Sequence, residues 1–391
     1  MKKTIIISAL LVLSLAGCKR EMASEDNHPF YRLPSDGMTF RAANAGCVGK
    51  STFKNLDIDG QLVWDEHDVL AVYAVNTAAE ESQIAGTCVS GLAYIDPAFA
   101  GETSAEFKST LSESQWYDGA ASRWFFATYP SIDLSTMQKL QTASGEDPEN
   151  PGVYNYYHLL PVYVNDEQEY AAGFRSYHTM ISDGGTFQSG ETVSFGAFRP
   201  ATSLIRFRMK TASGSSCRIG EVSFKFGYDW AYDYLQSDSR TSLAGVRLMK
   251  VNPGNRTITF DPDLSGYAHE SSVSLEFLIG GDSENGGGIE IGSEYSDYYY
   301  IAVLPTVSIP DGKEMLLRIE ADAYELWEEN YKENGYTLMV PAPGTLATVG
   351  FEAGKCYSFA ITLEDGGLSV GYEGNFVLGS YDINTEWGQE N

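Results

Sequence analysis

Histidine, cysteine and basic residues are scarce in this sequence. Its 391 residues include five His and five Cys, and 26 Lys and Arg stand against 53 Asp and Glu, so the formal net charge is -27. Such a negative field repels phosphate backbones, which argues against nucleic acid as a partner. The histidines are scattered singly, and neither an HExxH nor a G-x-S-x-G motif occurs. The sequence therefore predicts a protein that is not an enzyme, with no catalytic residue, no metal site and no cofactor.

The apolar run at the start of the chain is too short to be a permanent membrane span. It covers Thr4–Leu15, follows Lys2 and Lys3, and ends in Leu-Ala-Gly before Cys18. A spanning helix needs about 20 apolar residues. Small residues before a cysteine are what a lipoprotein signal peptidase requires. We therefore expect residues 1–17 to be a signal peptide, cleaved between Gly17 and Cys18, with lipid on Cys18 as the membrane anchor. The alternative is an ordinary secretory signal with a chance cysteine.

Four further cysteines, with no CxxC pair, leave two interpretations open. If the chain divides near residue 192, only the pairing of Cys47 with Cys88 and Cys217 with Cys356 keeps both disulfides within domains. Four buried free thiols are an equally acceptable interpretation.

Short apolar or alternating runs between Gly, Asp, Asn and Pro predict an all-β protein built from β-sandwiches. Helix signals are few: residues 133–140 could form a short helix, and 322–331 are ambiguous between helix and hairpin. The glycine-rich stretch 182–191 suggests a boundary between an N-terminal domain at 39–190 and a C-terminal domain at 191–391. The clearest predicted strands are 69–75, 123–129, 203–210, 298–304 and 357–363.

Six aromatic residues occupy every second position between 224 and 234. The first half of this segment has the pattern of a core strand. Trp230, Tyr232 and Tyr234 could instead form an exposed aromatic stripe that binds a sugar or a partner, since their rings would share one face of an extended strand.

Five segments resemble the fimbrillin family, the type V pilin lipoproteins of Gram-negative gut and oral anaerobes. The segment 62–73 is similar to a W-x-x-x-D-x-hydrophobic-x-V-Y motif near the start of those proteins, and 193–207 to the strand that opens their second domain. Residues 300–305 resemble their strand ending in Leu-Pro, 351–359 their Gly-Lys-x-Tyr segment, and 383–388 their closing strand ending in Trp. The resemblance implies two transthyretin-like β-sandwich domains, lipidation at the outer membrane, and assembly into fimbriae by exchange of β-strands.

The resemblance also implies roles for both ends of the chain. In stalk subunits of the family, a trypsin-like protease cuts after an arginine and frees the first strand. Here residues 18–38 would be a tether and a possible removable first strand, which could extend to Phe40. Arg41 is the best-placed cleavage site, with Arg32 second. The tail from Asn375 to Trp387 is the candidate donor strand, with Phe376, Leu378, Ile383 and Trp387 as its apolar residues.

The leading hypothesis is thus a structural or adhesive subunit on the cell surface. Its partners would be other fimbrial subunits, outer-membrane lipid through Cys18, and a surface receptor or glycan. In one alternative, both terminal segments complete their own sandwich and the protein stays monomeric. The runner-up function is a monomeric glycan-binding lipoprotein that uses the aromatic stripe at 230–234.

Overall fold

The protein consists almost entirely of β-strands in the part of the chain that the structure describes. This computed structural model describes residues 29–43, 64–131, 140–146, 150–170, 178–182, 184–196, 198–212, 216–231, 234–236, 241–260, 270, 272–277, 288–306, 314–327, 330–364 and 367–377. Two short helices lie among them, α1 (Glu113–Tyr117) and α2 (Leu346–Val349). Among these residues no helix is long and apolar enough to span a membrane.

The strands, in chain order, are β1 (Gly37–Ala43), β2 (Val69–Val75), β3 (Val89–Ile95), β4 (Ser104–Ser112), β5 (Ser122–Tyr129), β6 (Gln141–Glu146), β7 (Tyr154–Val164), β8 (Glu167–Glu169), β9 (Met180–Ser182), β10 (Gly185–Gln188), β11 (Val193–Phe195), β12 (Phe198–Pro200), β13 (Ser203–Thr211), β14 (Cys217–Ala231), β15 (Tyr234–Gln236), β16 (Gly245–Asn252), β17 (Thr257–Phe260), β18 (Ser272–Glu276), β19 (Ile289–Ile291), β20 (Tyr299–Val303), β21 (Met315–Trp327), β22 (Asn330–Pro341), β23 (Lys355–Glu364) and β24 (Gly367–Val377).

They form four sheets. The first sheet has the order β11-β1-β4-β3-β2-β5-β9-β12, with β10 also paired to β5, and the second has the order β17-β16-β7-β6. The third has the order β22-β21-β14-β18-β8, with β15 and β19 paired to β14, and the fourth has the order β20-β13-β23-β24.

The first sheet is buried on both faces. Its strand β2 is apolar throughout and every residue of it is buried, as the continuous run of apolar residues predicts. One face carries Phe40, Phe107 and Phe125 together with residues of both end strands, Phe195 and Phe198, so the sheet curves around a single core. The other face packs against the second sheet.

The third and fourth sheets pack face to face as a sandwich. On β13, Ile205, Phe207 and Met209 point into the shared core, and from the third sheet Phe224 and Leu317 point back at them. Alternation of apolar and polar residues along β13 is the pattern that a strand with one core face requires. The all-β class and the sandwich architecture are confirmed.

The sheets join strands from both sides of residue 190. β11 and β12 complete the first sheet, β16 pairs with β7 in the second, and β18 pairs with β8 in the third. A boundary at residue 190 would thus separate strands that belong to the same sheet in three of the four sheets. The division into domains at 39–190 and 191–391 stays a prediction.

The ambiguous segment 322–331 falls on a β-hairpin, because β21 and β22 pair antiparallel along their whole length. The possible helix at 133–140 falls mostly outside the described residues.

Candidate functional site

The position of β1 in the first sheet is the feature that bears most directly on the predicted exchange of strands. β1 lies inside the sheet, antiparallel to β4 on one side and parallel to β11 on the other. In this register Phe40 is opposite Phe107 and Val193, and Ala42 is opposite Ala105 and Phe195. We call the space that β1 occupies between β4 and β11 the β1 seat.

Side chains alternate along β1 between the core and the solvent. Met38, Phe40 and Ala42 are buried, whereas Thr39 and Arg41 are exposed. The Phe40 ring meets Trp116 edge-on with centroids 5.4 Å apart and stacks on Phe195 at 5.6 Å. Burying a ring of this size in a packed core stabilises a fold by about 3–5 kcal/mol relative to alanine. Phe40 is therefore the main apolar anchor of β1.

Helix α1 connects the two walls of the β1 seat. Trp116 Nε1 donates a hydrogen bond to Ser109 Oγ of β4 at 3.0 Å. On the other side, the Tyr117 hydroxyl donates to the Gln188 carbonyl oxygen at 2.7 Å, at the end of β10, just before β11. Glu113 Oε1 accepts from Ser189 Oγ at 2.6 Å in the same loop. These bonds do not involve β1, so they would hold the walls if β1 left.

Glu113 is held in its ionised form by this loop. The Ser189 hydroxyl and then the Gly190 amide lower the pKa of Glu113 by hydrogen bonding to its carboxylate. Its link to the loop is therefore fully formed at neutral pH.

Arg41, the predicted cleavage residue, lies within β1, not beyond its end. The strand continues to Ala43, and Arg41 is paired with Glu106 of β4 and with Ser194 of β11. Its guanidinium is exposed and forms an ion pair with Glu106, with Nη2 and Oε1 3.0 Å apart. Arg32, the second candidate, ends a short 3-10 turn at Pro29–Arg32 and is exposed. The proposed removable strand at 30–40 is thus this turn followed by the first part of β1.

The candidate donor strand begins inside the fourth sheet. Phe376 belongs to β24, where it is paired with Cys356 of β23. Leu378, Ile383 and Trp387 lie outside the described residues, as do the signal peptide, Gly17 and Cys18. If β24 keeps this pairing in a fibre, the donor segment would be the part of the tail that follows Val377, and the donor role of Asn375 to Trp387 stays a prediction.

The aromatic stripe is only partly described. Trp230 lies in β14 opposite Leu235, and Tyr234 opens β15 opposite Ala231, while Tyr232 lies outside the described residues. The pairing between β14 and β15 is irregular between Tyr228 and Trp230, so simple alternation does not continue through this point. A binding role for the stripe stays a prediction.

Cys88, Cys217 and Cys356 are not part of a disulfide bond. The disulfides considered from the sequence, Cys217 with Cys356 and Cys88 with Cys47, are therefore not formed, and Cys47 lies outside the described residues. Burial raises the pKa of Cys88 and of Cys356 to about 12, which keeps both protonated and unreactive at neutral pH.

A buried histidine just before β9 contacts the residue just before β13. His178 Nδ1 lies 2.7 Å from Thr202 Oγ1, within hydrogen-bond distance. Burial lowers the pKa of His178 to about 4, so the ring is neutral in the folded protein at neutral pH.

Two charged surfaces were not recognised from the sequence as functional. One is a row of cations on β13 stacked with tyrosines, and the other is a row of carboxylates across the third sheet. The alternation of Arg206, Arg208 and Lys210 was a visible signal for the first, although Arg206 proves to be buried. Among the described residues, no three His, Cys, Asp or Glu side chains converge as metal ligands.

Comparison with known proteins gives similarity at the level of structure only. No protein-family model and no curated protein matches the sequence. The chain is similar to a solved structure from Bacteroides ovatus assigned provisionally to cell adhesion, with a TM-score of 0.45, 13% identity, and coverage of 88% of this chain and 99% of that one. It is also similar to a fimbrial protein from Bacteroides vulgatus, with a TM-score of 0.43, 14% identity, and coverage of 87% and 99%. A third is the tip fimbrial protein Mfa3 from Porphyromonas gingivalis, with a TM-score of 0.34, 9% identity, and coverage of 85% and 98%.

Proposed function

We propose that this chain is a non-enzymatic subunit of a surface fimbrium, anchored through Cys18 and assembled by exchange of β-strands. The observation that supports the proposal most is the β1 seat. β1 lies near the beginning of the described chain and is paired with a strand on each side. A strand near a chain terminus could leave such a position and be replaced by a strand of another subunit.

Loss of β1 would create a surface that needs a new strand. β4 and β11 would each present unpaired backbone N–H and C=O groups, and Phe107 and Phe195 would lose their cover. Such an edge recruits any strand with the right alternation. A donor strand gains ladder hydrogen bonds for affinity, and its alternate side chains fix the register.

The end of the sequence has the pattern that the β1 seat requires. In an extended strand Tyr381, Ile383, Thr385 and Trp387 share one face, and the polar residues between them share the other. Inward Met38, Phe40 and Ala42 of β1 follow the same two-residue period. The tail of one subunit would therefore replace β1 of the next. A contact between two different surfaces excludes a closed two-fold dimer and repeats as an open filament when its rotation does not close a ring.

Cleavage after Arg41 requires β1 to leave the sheet first. A protease binds its substrate as an extended chain, and both edges of β1 are occupied near Arg41. We therefore expect cleavage to be slow in the folded subunit and to be accelerated by mild destabilisation.

The test treats the chain from residue 19 onward with a trypsin-like protease. Cleavage should convert monomer into SDS-resistant ladders, and N-terminal sequencing should place the new end at Ala42. Arg41→Gln should block both results, and Arg32→Gln is the matched control that should block neither.

Deleting residues 378–391 should prevent ladders without preventing cleavage, because this deletion leaves β24 complete. Cleaved protein with its full tail that remains monomeric at high concentration, by size exclusion with light scattering, would contradict strand exchange.

A further inference from the structure

Strand β1 enters the first sheet at a place where its ladder with β4 is irregular. Gly37 is paired with Ser112 and Thr39 with Lys108, so one residue of β1 faces the three that lie between Lys108 and Ser112. A bulge of this kind leaves the extra residues of one strand without partners in the ladder. The shape of the β1 seat at this end is therefore set by the bulged backbone of β4.

The bulge leaves no room for a side chain at Gly37. A Cβ atom on residue 37 would lie 2.2 Å from the carbonyl oxygen of Ser109, which is a backbone atom. Non-bonded carbon atoms are optimally separated by about 3.5–4.0 Å, so such a Cβ would clash severely. Glycine is the residue that lets two backbones approach this closely. Any other residue at this place would have to displace the backbone of β4.

Ser109 is held in place by contacts that do not involve β1. Its side chain is buried, and its Oγ accepts hydrogen bonds from Trp116 Nε1 and from the Leu111 amide, both at 3.0 Å. On the side away from β1, Ser109 is paired with Ala93 of β3. These contacts hold the Ser109 carbonyl oxygen in position whether or not the β1 seat is occupied.

The place that excludes a Cβ atom is linked to the pocket of the Phe40 ring. This ring lies 5.4 Å from the Trp116 ring, 5.6 Å from that of Phe195 and 6.1 Å from that of Phe125, measured between centroids. Trp116 is also the residue that bonds to Ser109. One side chain thus fixes the spacing between the glycine position and the aromatic pocket, which is three residues along the strand.

We propose that the β1 seat selects a strand in which a glycine stands three residues before a large aromatic residue, as Gly37 stands before Phe40. The inference rests on the strand exchange proposed above and names the kind of strand that the emptied seat takes. A strand in the direction of β1 then places its glycine against the Ser109 carbonyl oxygen and its aromatic ring beside Trp116.

The tail of this chain has the alternation that the β1 seat requires but not the glycine. After Val377, the two aromatic residues are Tyr381 and Trp387, and the residues three positions before them are Leu378 and Asn384. Another copy of this chain can therefore supply the aromatic ring only with a clash at the glycine position. The preferred occupant is a strand of a different subunit that carries glycine and aromatic residue at this spacing.

Peptide binding to the emptied β1 seat tests the proposal. The chain from residue 19 onward carries a specific protease site between Ala43 and Trp64 and is cut there. Fluorescein-labelled peptides then compete with the cut segment, and fluorescence anisotropy gives their relative affinities. A peptide of residues 35–43 should bind, and Gly37→Ala should weaken its binding by about tenfold or more, because the added Cβ overpacks a fixed backbone. The matched control, Thr39→Ala, alters an exposed side chain and should bind like the unchanged peptide.

The second arm introduces the missing glycine into the tail. In a peptide of residues 378–391, Asn384→Gly places a glycine three residues before Trp387 and should strengthen binding by about tenfold or more. Glycine in general weakens a strand, so a gain in affinity cannot come from strand propensity. The matched control, Glu386→Gly, adds the same flexibility at an outward position and should not strengthen binding.

Equal binding of the 35–43 peptide and its Gly37→Ala variant would overturn the proposal, and so would an Asn384→Gly tail that binds no more tightly than the unchanged tail. Both results leave strand exchange intact, since the peptides still enter the seat. If the unchanged 35–43 peptide does not bind, the emptied seat cannot be refilled, and strand exchange fails together with the selectivity inferred from it.

Discussion

Strands β1 and β13 have the same kind of neighbours in their sheets, but the two strands are not paired over the same length. β1 lies between an antiparallel neighbour, β4, and a parallel one, β11. β13 likewise lies between antiparallel β20 and parallel β23. The parallel ladder of β1 covers only Phe40–Ala42, whereas that of β13 covers Leu204–Thr211.

Chain connection increases this difference. β13 follows β12 after a gap of two residues and is tied to the preceding sheet through Thr202. β1 follows a short 3-10 turn whose residues are half-buried or exposed. The proposal therefore expects the strand in this position to be exchangeable in the case of β1 and fixed in the case of β13. The difference lies in the length of the parallel ladder and in the connection at the strand's start, and both features can be tested.

The largest effect of a single substitution should come from the core anchors of the two strands. Phe40→Ala and Phe207→Ala each remove a fully buried ring, so each should lower the free energy of unfolding by about 3–5 kcal/mol. Chemical denaturation measures both. If β1 alone is exchangeable, Phe40→Ala should also speed proteolysis after Arg41, and Phe207→Ala should not.

The second-largest effect should come from low pH, which should weaken the contact between His178 and Thr202 at the start of β13. The folded pKa of His178, about 4, lies below the ordinary value of 6.5, so the unfolded chain binds the proton more readily. The stability that neutral His178 provides is complete above pH 6.5 and falls as the pH drops towards 4, by about 3 kcal/mol. Denaturation midpoints between pH 7 and pH 4 should show this loss. His178→Asn should remove the dependence, and an unchanged pH profile in that variant would assign the loss to other groups.

The smallest effect should come from the exposed ion pair of β1. Arg41→Ala removes the contact with Glu106, and exposed pairs contribute at most about 1 kcal/mol. Thermal denaturation should therefore show little change. A loss above about 2 kcal/mol would mean that β1 is held mainly from its outer face, contrary to the role given to Phe40.

Individual strands of the fold could be predicted from local sequence patterns alone. The apolar run at 69–75 and the alternation at 203–210 identify β2 and β13 because each pattern depends only on which faces of one strand are buried. Residues 322–331, which lie within the hairpin of β21 and β22, are ambiguous from the sequence because their apolar spacing also fits a helix.

Other features depend on which distant segments meet. Nothing near Arg41 indicates that Val193–Phe195 pairs with it, so the end of β1 was placed too early. The row of carboxylates across the third sheet consists of Glu169, Glu221, Glu276 and Asp322, which lie far apart in the sequence. Within each strand, each of them is an ordinary polar residue of the outer face. The pairing of β16 with β7 likewise could not be inferred from composition, because the glycine-rich stretch 182–191 lies between these two strands in the sequence.

The most direct measurement compares release of the two equivalent strands. A specific protease site is inserted between Ala43 and Trp64, after β1, in one chain and between Ala212 and Ser216, after β13, in another. After cleavage, each is mixed with a peptide of residues 378–391, and binding is measured by fluorescence anisotropy. The account predicts that the chain cut after β1 releases its strand and binds the peptide, and that the chain cut after β13 does neither. Peptide binding to the chain cut after β13 alone, or to neither chain, would contradict it.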